Sequence, residues 1–205
     1  MKLLFSDEVL IKQTERQRIS LVTDSKGKKY LQRKLVGDRR EVYKLLQKSQ
    51  YPNIPRIYDV SLSDNTVITE EYIEGLSLAQ LMQQNYKFTK KEIISIAKQV
   101  LSALSYLHNA NIIHRDIKPD NILMDKSGHI WITDFDIARI YREEIRKDTE
   151  TMGTFGYAPI EQFGMMPTDS KTDIYAFGVT IKTIMDFSGI KDRVLRKIVK
   201  KMHTT

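Results

Sequence analysis

Short apolar runs cut by polar turns occupy the first seventy residues. Glu8 to Lys12, Ile19 to Val22 and Lys29 to Leu35 read as β-strands, and Asp24-Ser25-Lys26-Gly27 between the last two reads as a hairpin turn. Val42, Leu45 and Leu46 recur at helical spacing within Asp38 to Lys48. Tyr51-Pro52-Asn53-Ile54-Pro55 predicts an extended connection, because proline restrains itself and its predecessor. Ile57 to Val60 and Thr66 to Glu70 complete the β-type runs. The pattern then turns helical. Thr89-Lys90-Lys91-Glu92 is a capping box, followed by Ile93, Ile96, Ala97, Val100, Leu101, Leu104 and Leu107 along one face. Asp173 to Met185 predicts a second long helix, rich in Ile, Phe and Val. Val194, Leu195, Ile198, Val199 and Met202 predict an amphipathic third.

Composition narrows the picture only modestly. A chain of 205 residues can bury a core of one domain or two small lobes. With no cysteine, disulfides, thiolate nucleophiles and sulfur-ligated metals are excluded, which fits a reducing cytoplasmic setting. No stretch approaches the roughly 20 apolar residues of a membrane span, and Met1 to Leu10 carries Asp7 and Glu8 rather than a signal-like apolar run. The net charge of +7 is concentrated in Lys191, Arg193, Arg196, Lys197, Lys200 and Lys201. Opposite an apolar stripe these form the wet face of a helix, and no nucleic-acid site is expected.

The chemistry-bearing stretch is His114-Arg115-Asp116-Ile117-Lys118-Pro119-Asp120-Asn121, followed by Asp134-Phe135-Asp136. In that order and separation these resemble the catalytic loop and metal-binding turn of the protein kinase family. Gly153-Thr154-Phe155-Gly156-Tyr157-Ala158-Pro159-Ile160-Glu161 resembles the end of its activation segment, and Asp173 the acid that opens its central C-lobe helix. The resemblance covers nearly the whole chain. It implies an α+β, two-lobed fold, with a β-rich N-lobe over residues 1–73 and a helical C-lobe over 74–205.

It also implies Mg²⁺- and ATP-dependent phosphoryl transfer to Ser or Thr hydroxyls of proteins, autophosphorylation included. Asp116 would act as base, Lys118 would neutralise the moving phosphoryl group, and Asn121 and Asp134 would hold the metal. Glu71-Tyr72-Ile73-Glu74-Gly75 would be the hinge, where the backbone of Glu71 and Ile73 reads the adenine edge. Thr154 would contact Asp116 and Lys118, Asp173 would accept backbone amides of the catalytic loop, and Glu161 would pair with a C-lobe Arg. Lys118 is the residue type of serine/threonine kinases, and the Gly-Thr and Glu161 elements are foreign to aminoglycoside-type small-molecule kinases. A phosphate on Thr149 or Thr151 would order the activation segment through Arg115.

Four departures set the chain apart from the family pattern, and three of them, the missing glycine loop, Asp136 and the short C-lobe, support a second reading, a pseudokinase that binds a partner. The first hairpin turn, Gln13 to Arg18, has no glycine to close over phosphates, and only Arg16 or Arg18 offers charge in its place. The strand-three cation is either Arg33 or Lys34, on opposite faces of the strand, with Glu41 as its partner or as a helix cap. Asp136 replaces a glycine, and Ile160 stands where a proline is usual. Finally, one helix after Ser188-Gly189-Ile190 leads to Thr205, where the family continues. A reduced C-lobe is expected to leave apolar surface for a second copy or a partner.

Overall fold

Polar turns and β-branched runs build the first of two units, Met1–Ile73 and Glu74–Thr205. The computed structural model describes residues 4–48, 50–141, 154, 156–157 and 168–202. In the first unit β1 (Phe5–Gln13), β2 (Gln17–Asp24), β3 (Lys29–Val36), β4 (Ile57–Leu62) and β5 (Asn65–Glu71) form one antiparallel sheet in the order β1-β2-β3-β5-β4. Helix α1 (Arg40–Lys48) packs on β4 and buries Val42, Tyr43 and Leu46. The predicted strands lie inside the observed ones. The β2–β3 turn forms as expected, with Gly27 at φ 80° and Asp24 Oδ1 accepting the amides of Lys26 and Lys28.

Two local expectations change. Tyr51 to Ile54 is a tight turn, not an extended link: the amide of Ile54 donates to the Tyr51 carbonyl at 3.1 Å. Pro52 sits second in that turn, where its fixed φ is pre-set for turning. Helix α1 starts at Arg40 because Asp38 accepts the Arg40 amide at 3.1 Å and stays outside the helix.

Near the start of the second unit a Cβ on Gly75 would lie 2.7 Å from the Met124 carbonyl oxygen, so only glycine fits. Strand β6 (Gly75–Ser77) leads into α2 (Leu78–Gln83), capped reciprocally by Ser77 and Gln80. Thr89 and Glu92 close the expected capping box on α3 (Lys90–Asn109), whose inward side chains are Ile93, Ile96, Val100, Ala103, Leu104 and Leu107. Five short strands follow the pattern of two ladders. β7 (Ile112–Ile113) pairs with β10 (Arg139–Ile140), while β8 (Ile122–Asp125) pairs with β6 and with β9 (Ile130–Ile132).

Helix α4 (Ser170–Phe187) begins one turn before Asp173, because Asp169 caps it by accepting the Lys171 amide. Its buried residues include Phe177, Ile181, Ile184 and Met185. Helix α5 (Arg193–Met202) is amphipathic, but its predicted apolar stripe is only partly inward. Val199 is buried, whereas Val194 is 67% and Ile198 46% exposed. The helix meets α4 along one edge, where Arg196 pairs with Asp186 at 2.8 Å. Among the described residues, no helix is long and apolar enough to cross a membrane.

Candidate active site

Two loops carry the chemistry-bearing residues, and the ladders set both. Residues 114–121 connect β7 to β8, and residues 133–138 connect β9 to β10. Since β7 pairs with β10 and β8 with β9, both loops cross between the same two ladders. Backbone bonds then tie one to the other: the amide of Thr133 donates to the Asn121 carbonyl at 3.0 Å. His114, fully buried, adds a second tie. Its Nδ1 accepts the Asp116 amide at 3.3 Å and its Nε2 lies 3.1 Å from the Thr133 carbonyl, which fixes the neutral Nε2–H tautomer. Its ring packs against Phe135 at 4.7 Å between centroids.

Asp116 is the centre of the first loop. Oδ2 meets Lys118 Nζ at 2.7 Å and accepts Asn121 Nδ2 at 2.8 Å. Oδ1 accepts the Thr154 hydroxyl at 2.6 Å, and that hydroxyl in turn accepts Lys118 Nζ at 2.6 Å. The carboxylate, the ammonium and the hydroxyl thus close a ring of three contacts. Asn121 Nδ2 also donates to the Asp116 carbonyl at 2.8 Å, so the amide nitrogen faces Asp116 and the oxygen faces away. The 3₁₀ turn Pro119–Asn121 places it there.

Backbone strain concentrates in these loops. Arg115 (φ 71°) and Asp134 (φ 68°) both hold the left-handed conformation, which costs a non-glycine residue about 1–3 kcal/mol. Asp173 accounts for the first. Fully buried, its carboxylate accepts the amides of His114 at 2.9 Å and Arg115 at 2.8 Å, and meets His108 Nε2 at 2.8 Å. Asp136 is absent from the positive-φ residues, and Ala138 donates to the Phe135 carbonyl across it at 3.1 Å. The loop as folded needs no glycine at this position.

The residues assigned to the first unit are arranged differently. Arg33 is buried and Lys34 exposed, so the strand turns Arg33 inward. Arg33 Nε meets Glu70 Oε1 at 2.7 Å, an acid outside the expected site residues. Only part of the signal lies in the sequence: Thr66, Ile68 and Glu70 share one face of β5, whereas the placement of Arg33 opposite Ile68 is set by the register of β3 against β5. Glu41, its expected partner, lies exposed at the start of α1. The β1–β2 turn is self-contained: Thr14 Oγ1 accepts the amides of Arg16 at 3.3 Å and Gln17 at 3.2 Å. Arg18 pairs with Glu8 at 3.0 Å across the strands. Glu71 and Ile73 end this unit, where the Glu71 amide donates to the Arg56 carbonyl at 2.8 Å. Thr149, Thr151, Ile160 and Glu161 lie outside the described residues.

Several known proteins are similar to this chain in sequence. A probable serine/threonine-protein kinase of Clostridium acetobutylicum is 39% identical over 131 residues, which cover 63% of this chain and 20% of that protein. Serine/threonine-protein kinase PrkC of Bacillus subtilis is 38% identical over 64% of the chain and 20% of its own length. A probable serine/threonine-protein kinase PknB of Lactococcus lactis is 36% identical over 70% of the chain and 23% of its own length. The chain therefore spans about a fifth of these relatives. The sequence model of the protein kinase domain matches residues 8–201, and with the site geometry above it shows that the chain belongs to the protein kinase domain family.

Proposed function

We propose that this chain transfers the γ-phosphoryl group of ATP to Ser or Thr hydroxyls of proteins, its own included, with Mg²⁺ as the metal. The ring of Asp116, Lys118 and Thr154 carries the reading. An attacking hydroxyl needs a carboxylate to take its proton and a cation to offset charge on the phosphoryl oxygens. Asp116 and Lys118 supply both within 2.7 Å of each other and already grip one hydroxyl, that of Thr154. In the step, an acceptor O–P bond forms as the bond to ADP breaks, and the proton passes to Asp116.

The metal is tested by the donor set. Asn121 turns its amide oxygen away from Asp116, and Asp134 adds a carboxylate, so two hard oxygen donors are available. No cluster of three His, Cys, Asp or Glu suited to a metal occurs among the described residues. Two hard oxygen donors suit Mg²⁺, which takes one or two protein carboxylates and completes its shell with water and phosphate. Asn121 and Asp134 would hold it, and it would screen the phosphate charges. In the first unit Arg33 would meet the α/β-phosphates, with Glu41 nearby in sequence, and the backbone of Glu71 and Ile73 would read the adenine edge.

A second reading, a partner-binding pseudokinase, draws support from the Thr14–Gln17 turn, where the amides of Arg16 and Gln17 are already engaged by Thr14 Oγ1. Labelled Mg·ATP, offered to the chain alone and with a basic protein acceptor, separates the two. Label in wild type that vanishes in Asp134→Asn supports transfer. Equal labelling in both, or none in a folded sample, overturns it.

A further inference from the structure

Arg33 and Glu70 form a buried ion pair whose side chains are only 6% and 4% exposed. Register explains their meeting: Arg33 on β3 stands opposite Ile68 on β5, and Glu70 opposite Leu31, so the two are diagonal neighbours on one face. A buried guanidinium without an anion is costly, and Glu70 supplies that anion from within the sheet. Lys34 offers no substitute, because it faces outward from the other side of the strand.

We propose that Glu70 sets the nucleotide affinity of this chain by competing with phosphate for Arg33. The inference rests on the reading of Arg33 as a phosphate ligand. A phosphate that takes the Nε edge of Arg33 must displace a carboxylate already 2.7 Å from Nε, and one that meets the other guanidinium nitrogens does so beside that charge. Either brings its own negative charge close to Glu70. Both effects weaken binding of every ligand that carries phosphates and spare ligands that carry none. Glu70→Gln keeps the side-chain length and an oxygen that can accept from Nε, while it removes the competing charge.

Equilibrium dialysis of ADP, ATP and adenosine, without added metal and then with Mg²⁺, tests this on the full chain. Glu70→Gln should tighten ADP and ATP by about tenfold or more, the scale of one hydrogen bond to a charged group, and leave adenosine unchanged. Unaltered or weaker ADP and ATP binding, in a variant with the wild-type circular dichroism spectrum, overturns the role of Glu70. If Glu70→Gln fails to fold, Glu70→Asp keeps the charge and shortens its reach. A smaller gain confined to phosphate-bearing ligands then supports the proposal, and no gain overturns it. Adenosine binding with no phosphate-dependent change overturns Glu70 alone and leaves nucleotide binding standing. No binding of any of the three, in wild type or variants, overturns both.

Discussion

The carboxylate of Asp173 accepts the amide of Arg115 at 2.8 Å, and Arg115 holds a left-handed backbone at φ 71°. A residue near the start of α4 thus fixes the conformation of a loop that lies 58 positions earlier in the chain. The strain in the loop is offset by hydrogen bonds from outside it. Asp116, next in sequence, is aimed by the same contact.

Asp173→Ala should therefore do more than shorten a side chain. It leaves the amides of His114 and Arg115 buried without their acceptor. The expected loss is about 2–4 kcal/mol of stability, from two unsatisfied donors. Urea unfolding measures it. A loss under about 0.5 kcal/mol, the range of ordinary surface substitutions, would show that the loop holds its shape unaided.

Thr154 closes the ring around Asp116 with a hydroxyl that both donates and accepts. Thr154→Val keeps the shape and removes both bonds. Phosphoryl transfer to a protein acceptor should fall about ten- to a hundredfold, the scale of one hydrogen bond to a charged group. Thr154→Ser should retain most of the rate. Steady-state kinetics with the acceptor varied checks the pair, and equal rates for Val and Ser would remove the hydroxyl from the site.

Much of this was legible in the sequence, for reasons specific to each element. Helix α3 declared itself through Thr89, Glu92 and a long apolar period, since both signals are local. Asp116, Lys118, Asn121 and Asp134 stood out through their resemblance to the protein kinase motifs, and the structure brings Asp116, Lys118 and Asn121 into contact. The Arg33–Glu70 pair did not, because it depends on the register of β3 against β5. The Tyr51–Ile54 turn was hidden by its prolines, which fit a turn as well as an extended link. On α5, Val194 and Ile198 obey the helical period, yet period alone does not say which side of a helix meets a neighbour.

Asp38 gives a pH-dependent contribution of known sign. The side chain and the amide of Arg40 hold its carboxyl at about 2, below the usual value of 3.8. Between those values the unfolded chain binds more protons, so stability rises with pH through that window. The contribution is complete above about pH 4 and is lost as pH falls through about 2. Asp38→Asn should flatten this part of an acid-unfolding curve followed by circular dichroism. Identical acid midpoints would show that the Arg40 contacts do not persist in solution.

Asp116→Ala separates chemistry from metal and nucleotide binding. The substitution removes the group that would receive the acceptor proton, and with it one contact each to Lys118, Asn121 and Thr154. Asn121 still donates to the carbonyl of residue 116, so its amide oxygen keeps its direction. Transfer should fall by about a hundredfold to ten-thousandfold, the usual reach of a positioned general base, while ADP binding persists. Single-turnover transfer alongside ADP dialysis reads both quantities. If transfer stays at the wild-type rate, Asp116 is not the proton acceptor. If transfer and ADP binding collapse together, Asp116 serves chiefly to hold Asn121 and Lys118 in place.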